Sequence, residues 1–300
     1  MRIAFASGKG GTGKTLLSTS LAWALAQRGD RRVVYADADV EEPNGHLFLA
    51  PTLSADERIT VPFPEPVPDR CTGARRCEAA CAFNAILVVG RQVRIDPDLC
   101  HSCGGCQLAC TDGAIVETRR PIGTLHLGAA GAVAFVGGEI DIGQARATPA
   151  VDATVARAAE VSTDLGADAL IVDCPPGTSC ATMAAVRGAD LVVLVTEPTP
   201  FGLHDLRLAV AMCRAMKLPV AAVINRADLG DGATRAWLAA EAIPLVAELP
   251  FDRAIATAYA EGAIGAERSP AVHAAVDALW AFAETRAAAA QGSATDPRRS

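Results

Sequence analysis

A glycine-rich loop near the start of this 300-residue sequence constrains its fold more than any other feature. Residues 2–6 (RIAFA) form an apolar run that predicts a short buried strand, and a helical pattern follows over residues 16–28. Between them stands the pattern G-x-x-x-x-G-K-T, which consists of Gly8, Lys9, Gly10, Gly11, Thr12, Gly13, Lys14 and Thr15. Because such a loop turns its backbone N–H groups toward phosphate oxygens at a helix N-terminus, it predicts nucleotide binding. We expect Lys14 to contact the β and γ phosphates and Thr15 to bind Mg²⁺ through its hydroxyl.

Two strand patterns end in the carboxylates that such a loop requires. Residues 32–36 (RVVYA) precede Asp37 and Asp39, and residues 169–172 (ALIV) precede Asp173. The carboxyl ends of parallel strands face the ligand crevice of an α/β sheet. We therefore expect Asp173 to be an outer-sphere ligand of Mg²⁺ and Asp39 to lie at the same ion and orient the attacking water. A turn former or helix cap is the alternative role for an aspartate at a strand end.

Strand and helix patterns alternate along most of the chain. Further apolar strand patterns follow at residues 133–136, 191–196, 220–224 and 245–249. Alanine-rich helical stretches separate them, and a last helical pattern covers residues 270–290. This alternation predicts a doubly wound, mostly parallel α/β sheet. We assign residues 1–62 and 118–290 to this nucleotide-binding domain and predict a disordered tail at 291–300.

A proline-rich stretch and a cysteine-rich segment interrupt the alternation. The stretch 61–68 (VPFPEPVP) is unsuited to a central strand, so we interpret it as a linker. Structureless loops of the length that follows are uncommon in compact domains. We therefore assign residues 63–117 to an inserted small α+β module.

The inserted module contains an internal duplication. A shift of 29 residues aligns three pairs of cysteines, Cys71 with Cys100, Cys77 with Cys106, and Cys81 with Cys110. The second half has the spacing C-x-x-C-x-x-C-x-x-x-C, which is typical of iron–sulfur ligation. Zinc, which also takes four thiolates, is the alternative.

Composition and charge argue against several classes of function. The formal net charge of −7 gives no electrostatic basis for binding nucleic acid or anionic membranes, so neither is expected as a partner. The first residues lack the pattern of a secretory signal, and no apolar run reaches about 18 residues, so we expect a cytoplasmic protein. Because the cytosol keeps thiols reduced, the ten cysteines favour metal ligation or redox chemistry over disulfides.

Three features together resemble the deviant-Walker-A ATPases related to MinD, ParA, Mrp and the nitrogenase iron protein. They are Lys9 in the glycine-rich loop, the Asp37-x-Asp39 segment, and the run Asp173-x-Pro175-Pro176-Gly177. The resemblance implies a P-loop NTPase of the SIMIBI type that binds ATP and Mg²⁺. In that family the equivalent of Lys9 reaches across a dimer interface to the other subunit's nucleotide. The resemblance thus implies a homodimer in which Lys9, Lys14 and Asp39 are catalytic.

The same resemblance implies which residues surround the base. The family places the equivalents of Asn225 and of the loop Pro250-Phe251-Asp252 around adenine, and we expect Asn225, Pro250 and Asp252 to bind the nucleotide. Residues 225–228 (NRAD) also approximate the N-K-x-D pattern in which an aspartate recognises guanine. The resemblance favours ATP, and GTP is the alternative.

The cysteine pattern resembles that of two-cluster bacterial ferredoxins, in which each half gives three cysteines to one cluster and its last cysteine to the other. The resemblance implies one complete [4Fe-4S] site, formed by Cys81, Cys100, Cys103 and Cys106. The second site has only Cys71, Cys77 and Cys110, because Ala74 stands where Cys103 stands in the other half. That site would hold a [3Fe-4S] cluster, or a [4Fe-4S] cluster whose fourth iron takes water, a partner's thiolate or a small molecule, or it would be empty. Arg75 and Arg76 beside the gap would raise the reduction potential of a cluster there.

The two resemblances together imply an ATP-hydrolysing homodimeric switch coupled to an iron–sulfur module. The first hypothesis is electron transfer or the maturation of iron–sulfur or other metallocofactors, with a protein client that receives electrons or clusters. The alternative is a positioning ATPase of the ParA or MinD kind, in which the clusters are a redox sensor or a structural staple. Cys174 and Cys180 flank the Pro-Pro-Gly run, and we expect them to pack as small buried residues. The alternative is a pair of cluster ligands, because the nitrogenase iron protein family has cluster chemistry near this position.

Overall fold

The computed structural model describes residues 1–294 of the chain. Its strands are β1 (Arg2–Ala6), β2 (Val33–Asp37), β3 (Thr52–Pro66), β4 (Ile86–Val89), β5 (Gln92–Ile95), β6 (Ile115–Ala130), β7 (Val133–Ile140), β8 (Ala169–Asp173), β9 (Leu191–Thr196), β10 (Val220–Asn225) and β11 (Leu245–Leu249). Its α-helices are α1 (Lys14–Gln27), α2 (Gly45–Leu49), α3 (Arg76–Ala79), α4 (Gly105–Ala109), α5 (Thr148–Asp164), α6 (Cys180–Val186), α7 (Pro200–Ala215), α8 (Ala233–Ala240), α9 (Arg253–Ala260), α10 (Gly265–Arg268) and α11 (Pro270–Ala294). Residues 295–300, which make up most of the tail predicted at 291–300, lie outside the described part. None of the described helices is long and apolar enough to cross a membrane.

One large sheet carries the nucleotide-binding pattern. Within the described residues its strand order is β11-β10-β9-β1-β8-β2-β7-β6-β3. Each neighbouring pair from β11 to β7 is parallel. The mostly parallel α/β sheet that the sequence predicts is therefore confirmed.

The register of the central strands brings the predicted site residues to one edge of the sheet. β1 pairs with β8 so that Phe5 lies opposite Asp173, and β2 pairs with β8 so that Asp37 lies opposite Asp173. The glycine-rich loop after β1 and the acidic residues after β2 and β8 therefore leave the sheet at the same level. This is the carboxyl edge, where α/β sheets bind their ligands.

The helix that follows the glycine-rich loop is fixed by the core. α1 begins at Lys14, two residues before its predicted start, and Leu17, Leu21 and Leu25 are at most 1% exposed. These side chains belong to one apolar cluster with residues of β1 and α11. Full burial of each leucine contributes about 1.5–3 kcal/mol. Packing of α1 against this apolar cluster therefore fixes the first turn of the helix and the loop that leads into it.

The described chain divides into two compact units. Unit 1 comprises Met1–Glu57, Leu125–Glu139 and the chain from Ala147 onward, and unit 2 comprises Arg58–Thr124 and Ile140–Arg146. Unit 2 contains the predicted module 63–117 but begins earlier, ends later and takes in residues 140–146. Inside unit 2, β4 and β5 form a separate antiparallel hairpin. The short helices α3 and α4 precede and follow this hairpin.

The proline-rich stretch is a strand, so the linker prediction is wrong for residues 61–66. β3 runs from Thr52 to Pro66 without interruption. It stands last in the strand order and is therefore an edge strand. Proline lacks the N–H group that a second neighbouring strand would need, and an edge strand has a neighbour on one side only. Prolines thus exclude a central position in a sheet but permit this one.

Candidate functional site

Close contacts shape the glycine-rich loop. Gly13 has a φ of +101°, in the region that favours glycine, and caps the N-terminus of α1. A Cβ atom on Gly13 would lie 2.7 Å from Nδ2 of Asn225, and one on Gly8 would lie 2.4 Å from the carbonyl oxygen of Asp205. The loop is thus pressed against its neighbours at both ends, so only glycine fits at these two positions.

Lys14 is buried at the edge of a cavity of about 250 Å³ in unit 1. Lys14 is 7% exposed, and burial of an ammonium group is costly unless opposite charge compensates it. The compensating charge comes from two carboxylates, because the ammonium of Lys14 lowers the pKa of both Asp39 and Asp173. A cation is therefore held at the mouth of the loop, where a phosphate group could meet it.

Asp39 lines the same cavity. Burial is the main cause that raises the pKa of this carboxyl from 3.8 to about 6, and the charge of Asp173 raises it further, against the opposing effect of Lys14. A carboxylate of this basicity is suited to accept a hydrogen bond or a proton from water. The expected role of Asp39 in orienting the attacking water stays a prediction.

Asp173 lies behind the cavity with one of its oxygens unpartnered. The hydroxyl of Tyr35 donates to Oδ2 at 3.1 Å, whereas Oδ1 is buried and has no partner among the described residues. Burial raises the pKa of this carboxyl. A buried unpaired oxygen calls for a missing partner. A carboxylate oxygen beside Lys14 and Thr15 fits the outer sphere of Mg²⁺, so the residues present suit the predicted ion.

Asp37 has a structural role. Its Oδ2 accepts from the backbone N–H of Gly45 at 2.7 Å, and its Oδ1 accepts from the N–H of Asp39 at 3.3 Å. It is fully buried, and burial followed by repulsion from Asp173 raises its pKa. Of the two aspartates after β2, Asp37 therefore shapes the turn while Asp39 reaches the cavity.

The base side of the cavity is built from two loops that are tied together. Asp228 Oδ1 accepts from the backbone N–H of Phe251 at 2.6 Å, which joins the segment after β10 to the segment after β11. Nδ2 of Asn225 donates to the carbonyl oxygen of Thr12 at 2.9 Å. Asp252 caps α9 by accepting from the N–H of Ala254 at 2.7 Å. One carboxylate oxygen of Asp228 is therefore engaged in a loop contact.

Lys9 is turned toward Glu197. Lys9 Nζ lies 2.7 Å from Glu197 Oε2, and Arg226 Nη1 lies 2.5 Å from Glu197 Oε1. The side chain of Glu197 is 9% exposed, whereas those of Lys9 and Arg226 are 35% and 45% exposed. A nearly buried carboxylate thus holds two half-exposed cations in the subunit.

The cavity brings together most of the residues predicted to bind nucleotide. Those that line it are Gly10, Gly11, Gly13, Lys14, Thr15, Asp39, Asn225, Pro250 and Asp252. Gly8, Lys9, Thr12 and Asp173 are outside its lining. The lining also includes Phe251, which belongs to the loop expected around adenine, and Tyr259, which was not predicted. Tyr259 is placed there by α9, and no local sequence signal marks it.

Two small cavities in unit 2 are lined by cysteines. One is lined by Cys81, Cys100, Cys103 and Cys106. The other is lined by Cys71, Cys77 and Cys110, together with Ala74. Each has a volume of about 20 Å³, so the missing fourth thiol does not change the size. Each cavity takes one cysteine from the other half of the duplication, Cys81 in the first and Cys110 in the second.

The duplication extends to the backbone of unit 2. Positive φ angles recur after 29 residues, at Gly73 and Ser102, at Arg75 and Gly104, and at Asn84 and Gly113. In both halves a backbone N–H donates to the sulfur of the last cysteine at 3.3 Å, from Ala85 to Cys81 and from Ala114 to Cys110. The two cavities are therefore built by the same local structure, used twice.

The surroundings of the two cavities differ. Beside the complete one, His101 stacks on Phe83 with ring centroids 3.7 Å apart. At the incomplete one, Ala74, Arg75 and Arg76 are exposed. Arg75 is paired with Glu78 at 2.5 Å. Within the described residues, no group of three or more His, Cys, Asp or Glu side chains is arranged to hold a single metal ion.

The two cysteines that flank the Pro-Pro-Gly run have different environments. Cys174 is fully buried, and burial raises the pKa of its thiol. Cys180 is exposed at the start of α6. The expectation of a small buried residue therefore holds for Cys174 and is wrong for Cys180.

Comparison with known proteins identifies relatives over most of the chain. MJ0578 of Methanocaldococcus jannaschii is 33% identical over 211 residues, which cover 69% of this chain and 72% of that protein. MJ0579 of the same organism is 26% identical over 263 residues, or 87% of this chain and 90% of that protein. The cytosolic Fe-S cluster assembly factor NUBP2 homolog of Dictyostelium discoideum is 36% identical over 63 residues, or 19% of this chain and 24% of that protein.

Solved structures share the fold. The septum site-determining protein MinD of Pyrococcus horikoshii, complexed with Mg-ADP, has a TM-score of 0.57 at 20% identity and covers 92% of this chain and 93% of its own. A ParA family ATPase of Chlorobium tepidum has a TM-score of 0.55 at 16% identity, with coverages of 93% and 98%. The family model that describes the CobQ/CobB/MinD/ParA nucleotide binding domain matches residues 3–264. The chain, with its glycine-rich loop, buried lysine and parallel sheet, belongs to the CobQ/CobB/MinD/ParA family of nucleotide-binding domains.

Proposed function

We propose that this chain is an ATP-hydrolysing switch of the MinD and ParA kind, which forms a homodimer when ATP is bound. The family match and the fold of MinD and ParA support a positioning ATPase, the alternative given above, better than an electron-transfer protein. The observation that carries the proposal is the convergence of Lys14, Thr15 and Asp39 on one cavity, with an unpartnered oxygen of Asp173 behind it.

Each of these residues has a role in the proposed hydrolysis. Lys14 neutralises charge on the β and γ phosphates, and the backbone N–H groups of the loop bind their oxygens. Asp39 orients the attacking water by accepting its hydrogen bond. Thr15, Asp39 and Asp173 would hold Mg²⁺, which when bound supplies positive charge to the phosphates.

The contact between Asp228 and Phe251 supports adenine as the base. An aspartate that recognises guanine must offer its carboxylate oxygens to the base, and one of those oxygens already accepts from a backbone N–H at 2.6 Å. The aromatic rings of Phe251 and Tyr259 offer apolar surface, which suits a purine of either kind. The choice of ATP over GTP therefore rests on the Asp228 carboxylate, which is engaged by the N–H of Phe251, and on the resemblance to the ATPase family.

Replacement of the buried lysine tests the proposal. Lys14→Ala should lower the rate of ATP hydrolysis by about 10²–10³-fold, the usual effect of removing one preorganised charge or donor. The matched control is Lys217→Gly, because Lys217 is outside the cavity lining and has a positive φ that glycine tolerates. Hydrolysis by Lys14→Ala at the rate of this control would contradict the proposal.

We propose as a second candidate function that unit 2 binds iron–sulfur clusters in its two cysteine-lined cavities, for electron transfer or cofactor maturation with a protein client. The exchange of Cys81 and Cys110 between the halves supports it, since two-cluster ferredoxins share ligands in this way. The backbone N–H groups that donate to sulfur support it further, because such bonds tune clusters.

Metal analysis of protein purified without oxygen tests this second candidate. We expect about four to eight irons per chain, with a matching content of sulfide. Cys103→Ser should change the electron paramagnetic resonance spectrum of the complete site. Ala74→Cys should change the spectrum of the second site if that site is occupied. Cys180→Ser, outside both cavities, is the control. Zinc in place of iron, or protein free of metal, would remove the candidate.

A further inference from the structure

The proposed hydrolysis leaves one contact in unit 1 unexplained, the one between Glu197 and two cations. Glu197 comes directly after β9, and its carboxylate binds Lys9 through one oxygen and Arg226 through the other. Lys9 belongs to the glycine-rich loop, and Arg226 lines the nucleotide cavity. A single carboxylate outside the cavity lining thus connects the glycine-rich loop to Arg226, a residue of that lining.

The contact occupies the lysine that is expected to strengthen the proposed dimer by binding the other subunit's nucleotide. An ammonium that lies 2.7 Å from a carboxylate of its own subunit is not free to bind a phosphate in another subunit. Release of Lys9 removes one of the two counter-ions of a side chain that is 9% exposed. A nearly buried carboxylate left without any counter-ion would be strongly destabilised.

Arg226 lowers the cost of releasing Lys9 from Glu197. It contacts the other carboxylate oxygen, so Glu197 keeps one charge partner after Lys9 departs. Arg226 also lies where a bound nucleotide would meet it, which links its position to the occupancy of the cavity. The pair of cations therefore allows an exchange that a single ion pair would resist.

We infer that Glu197 is a positioning residue, which holds Lys9 inside the resting subunit and releases it to the second copy of the chain when nucleotide binds, with Arg226 as the remaining counter-ion. The inference rests on the proposed nucleotide-dependent dimer. It adds a regulation that competes with dimer formation, because Lys9 is bound either within its own subunit or across the interface. The energetic coupling is thus a difference in affinity between two states of the same side chain.

Dimer formation with Mg²⁺ and a non-hydrolysable ATP analogue, AMP-PNP, tests the inference. Glu197→Gln removes the charge and keeps the shape, so the protein concentration for half-dimerisation should fall by about tenfold, within the usual range of coupling between sites. The protein concentration that gives half-maximal ATP hydrolysis should fall by the same factor. Structural damage would instead lower the maximal rate of hydrolysis. In a Lys9→Ala background the effect of Glu197→Gln should disappear. Glu248→Gln is the matched control, because it removes a more exposed ion pair, with Arg235.

Arg226→Gln supplies the second arm. Without Arg226 the carboxylate depends on Lys9 alone, so dimerisation should become weaker by about tenfold, again only when Lys9 is present. Binding of ADP, measured separately, separates this effect from a loss of nucleotide affinity. If Glu197→Gln does not fold, this arm decides the matter.

The outcomes are distinct. If the wild-type protein dimerises and hydrolyses ATP but Glu197→Gln leaves dimerisation unchanged, weakens it, or acts equally without Lys9, the inference is overturned and the proposed function stands. If the wild-type protein neither dimerises with AMP-PNP nor hydrolyses ATP, the proposed function fails and the inference fails with it.

Discussion

At the scale of single residues, the nucleotide site concentrates carboxylates that are costly to charge. Asp37 and Asp173 are almost fully buried and Asp39 is half-buried, and burial raises the pKa of all three. Lys14 is the nearby cation that opposes this effect at Asp39 and Asp173. Without Mg²⁺ and nucleotide, negative charge on these carboxyls therefore opposes folding.

This charge predicts how stability depends on pH in protein free of Mg²⁺ and nucleotide. A carboxyl whose pKa is higher in the folded state than in the unfolded state favours folding while it is protonated. For Asp39 that advantage is complete below about pH 3.8 and is lost as the pH rises to about 6. Asn carries no charge, so Asp39→Asn keeps the stability advantage of a neutral side chain at all pH values. We therefore expect the variant to be more stable than wild type at pH 7 by about 2 kcal/mol, allowing for partial exposure.

Urea unfolding of both proteins from pH 4 to pH 7 provides the measurement. The difference in free energy of unfolding should be small near pH 4 and should grow up to pH 6. Glu41→Gln, which removes an exposed carboxylate nearby, is the control and should show no such growth. A difference that stays constant with pH would show that Asp39 titrates as an ordinary aspartate.

Site residues can be predicted from the sequence where the signal lies close to them in the chain. Asp39 and Asp173 follow apolar strand patterns, and a phosphate-binding loop indicates what such carboxylates do. The contact of Lys9 with Glu197 spans 188 positions, and no feature near either residue predicts it. The orientation of the Lys9 side chain is therefore information that only the fold contains.

At the scale of elements, strands with uniform apolar runs were the most predictable. The predicted bounds of β1, β9 and β11 agree with the structure. β3 and β6 were missed, because their alternating, proline-bearing sequences lie at or next to the edge of the sheet, where burial is partial. Edge strands carry a weaker hydrophobic pattern than strands buried on both faces.

The loops after β10 and β11 give a prediction at this scale. Asp228→Ala removes the acceptor for the N–H of Phe251 and should loosen the segment that carries Pro250 and Asp252. A hydrogen bond to a charged group contributes about 1.5–3 kcal/mol. We therefore expect the affinity for ADP to fall about tenfold, measured by calorimetry, with no change in preference between ADP and GDP.

A matched variant exists in the same turn. Asp231 accepts from the N–H of Ala233 at 3.0 Å and is outside the cavity lining, so Asp231→Ala should leave ADP affinity unaltered. A selective loss of GDP binding in Asp228→Ala would instead show that Asp228 recognises guanine, and the assignment of ATP would be wrong.

At the scale of the whole molecule, the two units differ in how much apolar core they contain. The main core of unit 1 includes side chains from several strands and from α1 and α11. The cluster identified in unit 2 has five fully buried members, and two of them are Cys77 and Cys106. Small domains with so little core usually need a metal or a cross-link for stability.

If the proposed iron–sulfur clusters are present, the stability of unit 2 should depend on them, whereas that of unit 1 should not. We expect iron-free protein to lose protection from hydrogen exchange in residues 67–117 by at least about 100-fold, since cluster binding is coupled to folding. Residues of β1, β8 and β9 should keep theirs. Mass spectrometry of iron-replete and iron-free protein makes the comparison. Equal protection of unit 2 in both preparations would show that its fold does not need iron.

The exchange of Cys81 and Cys110 has a consequence for how unit 2 could have changed over time. Neither half of the repeat encloses a full set of thiols by itself, so a single ancestral copy would have needed a second copy to complete a cavity. Once fused, the halves constrain each other unequally. A cysteine absent from one half, as at position 74, leaves the lining of the other cavity complete, whereas deletion of either half would dismantle both.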